Sequence, residues 1–359
     1  MDVGIFQKLL MNAIQKGASD IHLQVGSQPL FRINGELMEV KYHPLTPSET
    51  QTAVNEILSQ SYHRNQIDTL TELDTSYSIE GHGRFRANIF RQRGSFGVVL
   101  RVIPIRISAF QELNLPPVLE SIAGLRRGLV LVVGATGNGK STTLASIIEY
   151  INTNRRSHIV TIEDPIEFLF HNSKSVISQR EVGTDTTSFA KAIVAAMRQD
   201  PDVIFIGEMR DAETVDVAIK AAETGHLVLS SLHTTDSVNA LARIIGFYPP
   251  DQETGIRKRL SDCLMAVIGL RLLPKKDLHG RIPAVEILRM TRTIQECIRD
   301  SVKSADIPGH ILKGAEMYGM QTFDSHLFKL VKEDKVDLEV AKMASNNPEE
   351  LARALMMEG

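Results

Sequence analysis

Gly134-Ala-Thr-Gly-Asn-Gly-Lys140-Ser141 has the GxxxxGK[ST] spacing of a phosphate-binding loop. The glycines at 134, 137 and 139 let the backbone curl until successive N–H groups point at phosphate oxygens. A helix starting at the loop adds partial positive charge. The candidate nucleotide cradle is therefore Gly134, Ala135, Thr136, Gly137, Asn138, Gly139, Lys140, Ser141 and Thr142. Lys140 would reach the β- and γ-phosphates of ATP, and Ser141 would hold Mg2+. The pattern has this meaning only between a strand and a helix. The apolar run Leu129 to Val133 reads as the strand and Thr142 to Ile151 as the helix.

Two acids could work beside such a loop. Asp202-Val-Ile-Phe-Ile-Gly-Glu208 is an apolar run ending in a carboxylate, the form of a Walker B strand. Glu208 would meet Mg2+ through water, although Gly207-Glu208 stands where many such enzymes have an aspartate directly. Glu163-Asp164-Pro165 closes another expected strand. Ligands of open parallel sheets bind beyond the carboxyl ends of strands, and an acid there can polarise an attacking water; the bland alternative is an Asp-Pro turn. His226 and His233 bracket the run Leu227–Leu232 without a third ligand at zinc spacing. They read either as structural histidines or as groups that bond a γ-phosphate or couple it to a neighbouring subunit.

These residues need a scaffold. Strand and helix alternate from about Leu125: 129–133, the loop and its helix, 158–162, 188–198, 202–206, 212–223 and 227–232. That order predicts an α/β fold with a mostly parallel sheet. After Asp251 the chain reads as helical, with Leu260, Leu264, Val267, Ile268 and Leu272 on one face. Further helices are expected at 292–301, 322–333 and 348–356, and one more strand at 282–288. N-terminal to all this, Val3, Phe6, Leu9, Leu10, Ala13 and Ile14 predict a helix closed by Lys16-Gly17. Short strands follow at 21–25, 30–33 and 37–40, two of them joined by the hairpin signal Asn34-Gly35. Thr46-Pro47-Ser48-Glu49 is a capping box opening a helix to about Ser59. The stretch from Arg84 to Arg93 alternates arginine with other residues and reads as a strand with one basic face, paired with 98–103, which carries Arg101. The face is either a solvated edge or a surface for phosphate, including one on a neighbouring subunit. Residues 104–117 hold three prolines and read as a linker.

The chain has 359 residues, room for two or three domains, with ordinary hydrophobic (43%) and charged (23%) content. A net charge of −3 gives no global field for nucleic acid. No apolar run reaches the roughly 18 residues that span a bilayer, so direct membrane insertion is not expected. The N-terminus lacks the pattern of a signal peptide, and two cysteines without a CxxC pair fit a reducing compartment. The expectation is a cytoplasmic protein.

Several longer stretches resemble the type II/IV secretion and pilus motor ATPases. Met197-Arg-Gln-Asp-Pro-Asp-Val-Ile-Phe-Ile-Gly-Glu-Met-Arg-Asp211 is similar to the family signature, Thr161-Ile-Glu-Asp-Pro-Ile-Glu167 to its Asp box, and Thr224-Gly-His-Leu-Val-Leu-Ser-Ser-Leu-His-Thr234 to its His box. Ala18-Ser-Asp-Ile-His22 and Gly319-Met-Gln-Thr-Phe-Asp324 resemble the N- and C-terminal motifs. Within the family the chain looks like the PilT/PilU retraction motors, lacking the extra N-terminal domains and four-cysteine insert of longer members.

The resemblance implies a PAS-like α+β domain over 1–103, a linker over 104–124, a RecA-like P-loop core over 125–290 and a helical C-terminal extension over 291–359. It implies a homo-hexamer that hydrolyses ATP with Mg2+. Its partners would be an inner-membrane pilus platform protein, through which it sits at the cytoplasmic face, and a paralogous retraction ATPase. By the same resemblance Glu163 is the catalytic glutamate, Glu208 the Walker B glutamate, His226 and His233 the His-box pair, and Arg84 and Arg101 the N-domain arginines that reach the γ-phosphate. Two departures bear on the type of motor. Thr293-Ile-Gln-Glu-Cys-Ile-Arg-Asp300 keeps Ile294, Ile298 and Arg299 of the retraction-linked helix but has Gln295 in place of arginine, and Ala135 is a PilU-like residue. A PilU-like accessory ATPase that depends on a partner motor is the alternative.

Overall fold

The computed structural model describes residues 1–33, 35–59, 67–103, 106–277 and 280–357. They form two compact units. The first comprises Met1–Arg106 with Asp164–Phe170 and Arg180–Thr187; the second comprises Ile107–Glu163, His171–Gln179 and Ser188–Gly359.

The first unit is built on an antiparallel sheet of β1 (Asp20–Leu23), β2 (Leu30–Ile33), β3 (Glu36–Glu39), β4 (Glu72–Ile79), β5 (Gly83–Gln92) and β6 (Ser95–Ile103), in the order β3-β2-β1-β6-β5-β4. One face is apolar: Ile21, Leu23, Tyr77, Phe85, Ala87, Ile89, Val98 and Leu100 are buried with Phe6, Leu10, Val54 and Ile57 of the helices α1 (Val3–Gln15) and α2 (Pro47–Ser59). Both helices begin on side-chain caps. Asp2 accepts from the Ile5 N–H at 2.8 Å, and the Thr46–Glu49 capping box forms, with Thr46 N–H donating to Glu49 at 2.9 Å. Residues directly opposite in antiparallel strands share a face. The registers Arg86↔Arg101, Asp20↔Arg101 and Asp20↔Arg32 therefore put three arginines and one aspartate in a row on the other face.

The expected basic strand needs one correction. Arg91 falls on the opposite parity from Arg84 and Arg86; it lies over the Phe96 ring, 4.1 Å from its centroid, and donates to the Leu70 carbonyl at 2.7 Å. Strand β4 was not anticipated, because its polar, serine-rich sequence gives little apolar alternation. Asn34 of the hairpin signal and Pro104 of the linker lie outside the described residues, while Gly35 takes the positive φ (+90°) that such a turn requires.

A second sheet, in the second unit but for the last two residues of β9, comprises β7 (Gly128–Val133), β8 (His158–Glu163), β9 (Val176–Glu181), β10 (Val203–Ile206), β11 (Leu227–Leu232), β12 (Leu264–Pro274) and β13 (Arg281–Arg289), in the order β13-β12-β7-β11-β10-β8-β9. The pairs β12–β7, β7–β11, β11–β10 and β10–β8 are parallel, and β12–β13 is antiparallel. Every residue of β7, β10 and β11 is buried, so both faces of the central sheet are covered. The helices are α3 (Val118–Ala123), α4 (Lys140–Asn154), α5 (Phe189–Ala196), α6 (Ala212–Glu223), α7 (Ser237–Ile245), α8 (Glu253–Cys263), α9 (Arg292–Arg299), α10 (Ile307–Lys313), α11 (Ala315–Tyr318), α12 (Phe323–Lys332), α13 (Leu338–Ala344) and α14 (Pro348–Met357). Ser188, Asp211, Asp236, Thr291 and Thr322 each cap the helix that follows, which is why those boundaries are sharp.

One expectation is overturned. Residues 264–274 form strand β12, not the continuation of a helix. Nearly every position in this run is apolar, so a helical stripe can be drawn through it by chance. Pairing decides the matter, with β7 on one side and β13 on the other. Strand β9 and helix α7 were likewise unforeseen. Beyond β13, helices α12, α13 and α14 close a second core around Leu273, Ile282, Phe323, Leu327 and Leu351. Beside it, His326 accepts a hydrogen bond at Nδ1 from the Val285 N–H at 2.9 Å, and burial brings its pKa down to about 4.

Candidate active site

The parallel register aligns the carboxyl ends of β7, β11, β10 and β8 along one edge of the sheet. The residues that leave those ends are, in order, Gly134, His233, Gly207-Glu208 and Glu163.

The loop from Gly134 to Gly139 joins β7 to α4. Gly137 and Gly139 have φ of +82° and +86°, conformations that a side chain would strain. Gly134 is required for space as well, because a Cβ there would stand 2.7 Å from the Leu270 carbonyl oxygen. Asn138 Oδ1 accepts from the Leu272 N–H at 3.2 Å and fastens the loop to β12. Lys140 begins α4 and is buried. Its ammonium donates to the carbonyls of Gly134 at 2.8 Å and Ala135 at 3.2 Å, which holds the cation over the loop. Ser141 and Thr142 follow in the first turn of this 15-residue helix, whose N-terminal amides face the loop. The cradle thus has the donor set that a polyphosphate needs, and Ser141 supplies the hydroxyl suited to Mg2+.

Glu163 is 5% exposed at the tip of β8, where its Oε1 accepts from Thr161 Oγ1 at 2.6 Å and Gln179 Nε2 at 3.1 Å. Both donors fix the orientation of the carboxylate. Glu208, just past β10, is paired with Arg210 and lies 3.2 Å from His233 Nε2. The other ring nitrogen of His233 is 3.4 Å from Thr136 Oγ1. His233 therefore spans the phosphate loop and the Walker B-like acid.

His226 is not brought to this edge. It precedes β11, and Nδ1 faces the Ala221 carbonyl at 2.9 Å and Thr224 Oγ1 at 3.2 Å. At ~3.3 Å per residue, the seven steps from His226 through β11 to His233 separate the two histidines by about 23 Å within one chain. The sequence resemblance groups them; the strand between them keeps them apart.

Arg84 and Arg101 share a face of the first unit's sheet and differ in their commitments. Both Nη2 hydrogens of Arg84 are engaged, by Ser76 Oγ at 2.7 Å and by the carboxylate of Glu181, while Nη1 donates to Ser78 Oγ at 3.2 Å. Glu181 is 2% exposed and also accepts from Ser76 Oγ at 2.6 Å and the Ile166 N–H at 3.0 Å. Among the described residues Arg101 has a single tie, Nε to Asp20 Oδ1 at 2.9 Å, and its side chain is 70% exposed. Sequence reasoning missed Gln179, Glu181 and Asp20 as partners of the candidate residues. Asp20 was visible within its motif, but nothing in the spacing linked it to an arginine 81 positions away. Cys263 and Cys297 are buried free thiols, the first pushed up by burial to about 12.

Comparison with known proteins agrees with this architecture. The family model for type II/IV secretion system proteins matches residues 3–353. The type IV pilus retraction ATPase PilT of Pseudomonas aeruginosa is 39% identical over 95% of this chain and 98% of its own. The type IV pilus ATPase PilU of the same organism is 40% identical over 96% and 90%. A crystal structure of the pilus retraction motor PilT with bound ADP superimposes with a TM-score of 0.88 at 42% identity, covering 98% of this chain and 99% of that one. The ATPase DotB of Legionella pneumophila gives 0.83 at 26% identity over 96% and 95%. This chain belongs to the type II/IV secretion system protein family.

Proposed function

We propose that the chain is a hexameric motor ATPase that hydrolyses ATP to power retraction of type IV pili, acting through a platform protein of the inner membrane. The observation that carries this reading is the chain of contacts from Thr136 through His233 to Glu208, which ties the phosphate loop to the acid at the tip of β10. Such a link lets the presence or loss of a γ-phosphate be felt at the sheet edge. The whole-length likeness to retraction ATPases supplies the biological setting. Among the described residues no helix is long and apolar enough to cross a membrane, so attachment through a partner suits the chain. We read residues 1–103 as the PAS-like domain, 104–124 as linker, 125–290 as the RecA-like core and 291–359 as the helical extension.

In this reading the loop amides and Lys140 grip the β- and γ-phosphates and leave the terminal phosphorus open to in-line attack. Glu163, held in place by Thr161 and Gln179, orients the attacking water and draws on its proton as the bond from the γ-phosphorus to the ADP oxygen breaks. Mg2+, held by Ser141 and through water by Glu208, would offset the phosphate charge. Arg101, from this or a neighbouring subunit, would serve the same end, whereas Arg84 is committed to Ser76 and Glu181.

A PilU-like accessory role remains the second reading, favoured by Ala135 in the loop and by nearly equal identity to PilT and PilU, 39% and 40%. Glu163→Ala and Glu208→Ala test the mechanism. Each is expected to lower turnover by about a hundredfold or more while ATP binding persists. Wild-type turnover in either variant removes that residue from the chemistry.

A further inference from the structure

The motif Ala18-Ser-Asp-Ile-His22 takes no part in the nucleotide loop, yet it sets a buried acid into the row of arginines on the first unit's sheet. Asp20 is 7% exposed. Its Oδ2 accepts from Ser19 Oγ at 2.8 Å, which fixes the plane of the carboxylate, and its Oδ1 takes Arg101 Nε at 2.9 Å. Asp20 and Arg101 sit directly opposite across β1 and β6, so the pairing is written into the register of the sheet. On its other side Arg101 stands opposite Arg86 on β5, a like-charge pair that Asp20 offsets.

The contact atom matters. A guanidinium can offer a carboxylate or phosphate two parallel donors from its Nε–Nη side or from its Nη–Nη end. Asp20 takes the inner donor, Nε, and Arg101 has no other hydrogen-bonding partner among the described residues. Both Nη groups thus remain at the exposed end of the side chain, aimed by an acid that cannot itself turn. Arg84 is the reverse case: its Nη2 hydrogens are used within the sheet by Ser76 and Glu181.

We propose that Asp20 is the positioning residue for Arg101, holding the guanidinium by Nε so that its two Nη groups form an end-on grip for a nucleotide phosphate. This rests on the reading that Arg101 meets phosphate. Asp20 never touches the nucleotide; it acts by removing the rotamer freedom that a long exposed arginine otherwise has to lose on binding.

The test is a double-mutant cycle on steady-state ATP hydrolysis by the assembled full-length protein, with Asp20→Ala, Arg101→Ala and the double variant. Arg101→Ala is expected to lower kcat about a hundredfold and Asp20→Ala about tenfold, with the double variant no slower than Arg101→Ala alone. A further tenfold loss from Asp20→Ala in the Arg101→Ala background would mean that the aspartate works through something else and would overturn the proposal. Wild-type kcat in Asp20→Ala would overturn it too. Wild-type kcat in Arg101→Ala would instead sink the phosphate reading beneath it, so the two failures are distinct. If Asp20→Ala does not assemble, Asp20→Asn, which keeps the shape and can still offer its one oxygen to Arg101 Nε while its NH2 donates to Ser19 Oγ, goes through the same cycle. It is expected to show a smaller loss that again vanishes without Arg101, and a loss that persists there refutes the proposal.

Discussion

His326 gives the second unit a calculable dependence on pH. Its Nδ1 accepts the Val285 N–H, which requires a neutral ring, and burial, aided by Lys329 and Lys335 and opposed by Glu333, lowers its pKa from 6.5 to about 4. Since the folded pKa is depressed, the unfolded chain takes up the proton first as pH falls. The stabilisation is whole above pH 6.5, is lost progressively between 6.5 and about 4, and changes no further below that. At ~1.36 kcal/mol for each tenfold step the full loss is about 3 kcal/mol, and at pH 5 it is about 2 kcal/mol. Asparagine can offer Oδ1 to the same N–H without titrating. Urea unfolding followed by circular dichroism, on wild type and His326→Asn at pH 7.5 and pH 5, isolates the effect. Wild type should lose about 2 kcal/mol more than the variant between the two conditions. An equal loss in both proteins would show that the ring is not held neutral and would refute the reasoning.

Three further outcomes follow from named contacts. Arg84→Ala strands the buried Glu181 carboxylate and should lower stability by about 3 kcal/mol, with Glu181→Gln in the same chain recovering part of it; denaturant titration of the single and double variants checks this. Gly134→Ala forces a Cβ against the Leu270 carbonyl and should abolish ATP binding measured by calorimetry, with a stability loss of about 1–3 kcal/mol. His233→Ala should weaken ATP binding and turnover, whereas His226→Ala, at the far end of β11, should leave binding to the isolated chain unchanged.

The loop, the alternating strands and the capped helix α2 were legible in the sequence because each has a local signature: Gly134 to Ser141 by spacing, Val203 to Ile206 by a short apolar run, and Thr46 to Glu49 by capping chemistry. Residues 264–274 were not, because an almost wholly apolar segment carries no clear period and only its partners β7 and β13 decide that it is a strand. β9 was invisible for the opposite reason: Ser178, Gln179 and Arg180 look like a polar loop. Two of its members nevertheless hold candidate residues, Gln179 at Glu163 and Glu181 at Arg84. The separation of His226 from His233 also needed the fold. A seven-residue spacing joins neighbours on a helix but opposite ends of a strand.

The central claim is that this loop, these acids and this lysine make a self-sufficient ATP hydrolase. Steady-state ATP hydrolysis by the purified chain alone, taken from its oligomer peak with Lys140→Ala as the blank, tests it most directly. The account predicts clear turnover that disappears in the variant. Turnover no higher than the blank, in a protein that still binds ATP and assembles, would contradict it and favour the accessory reading.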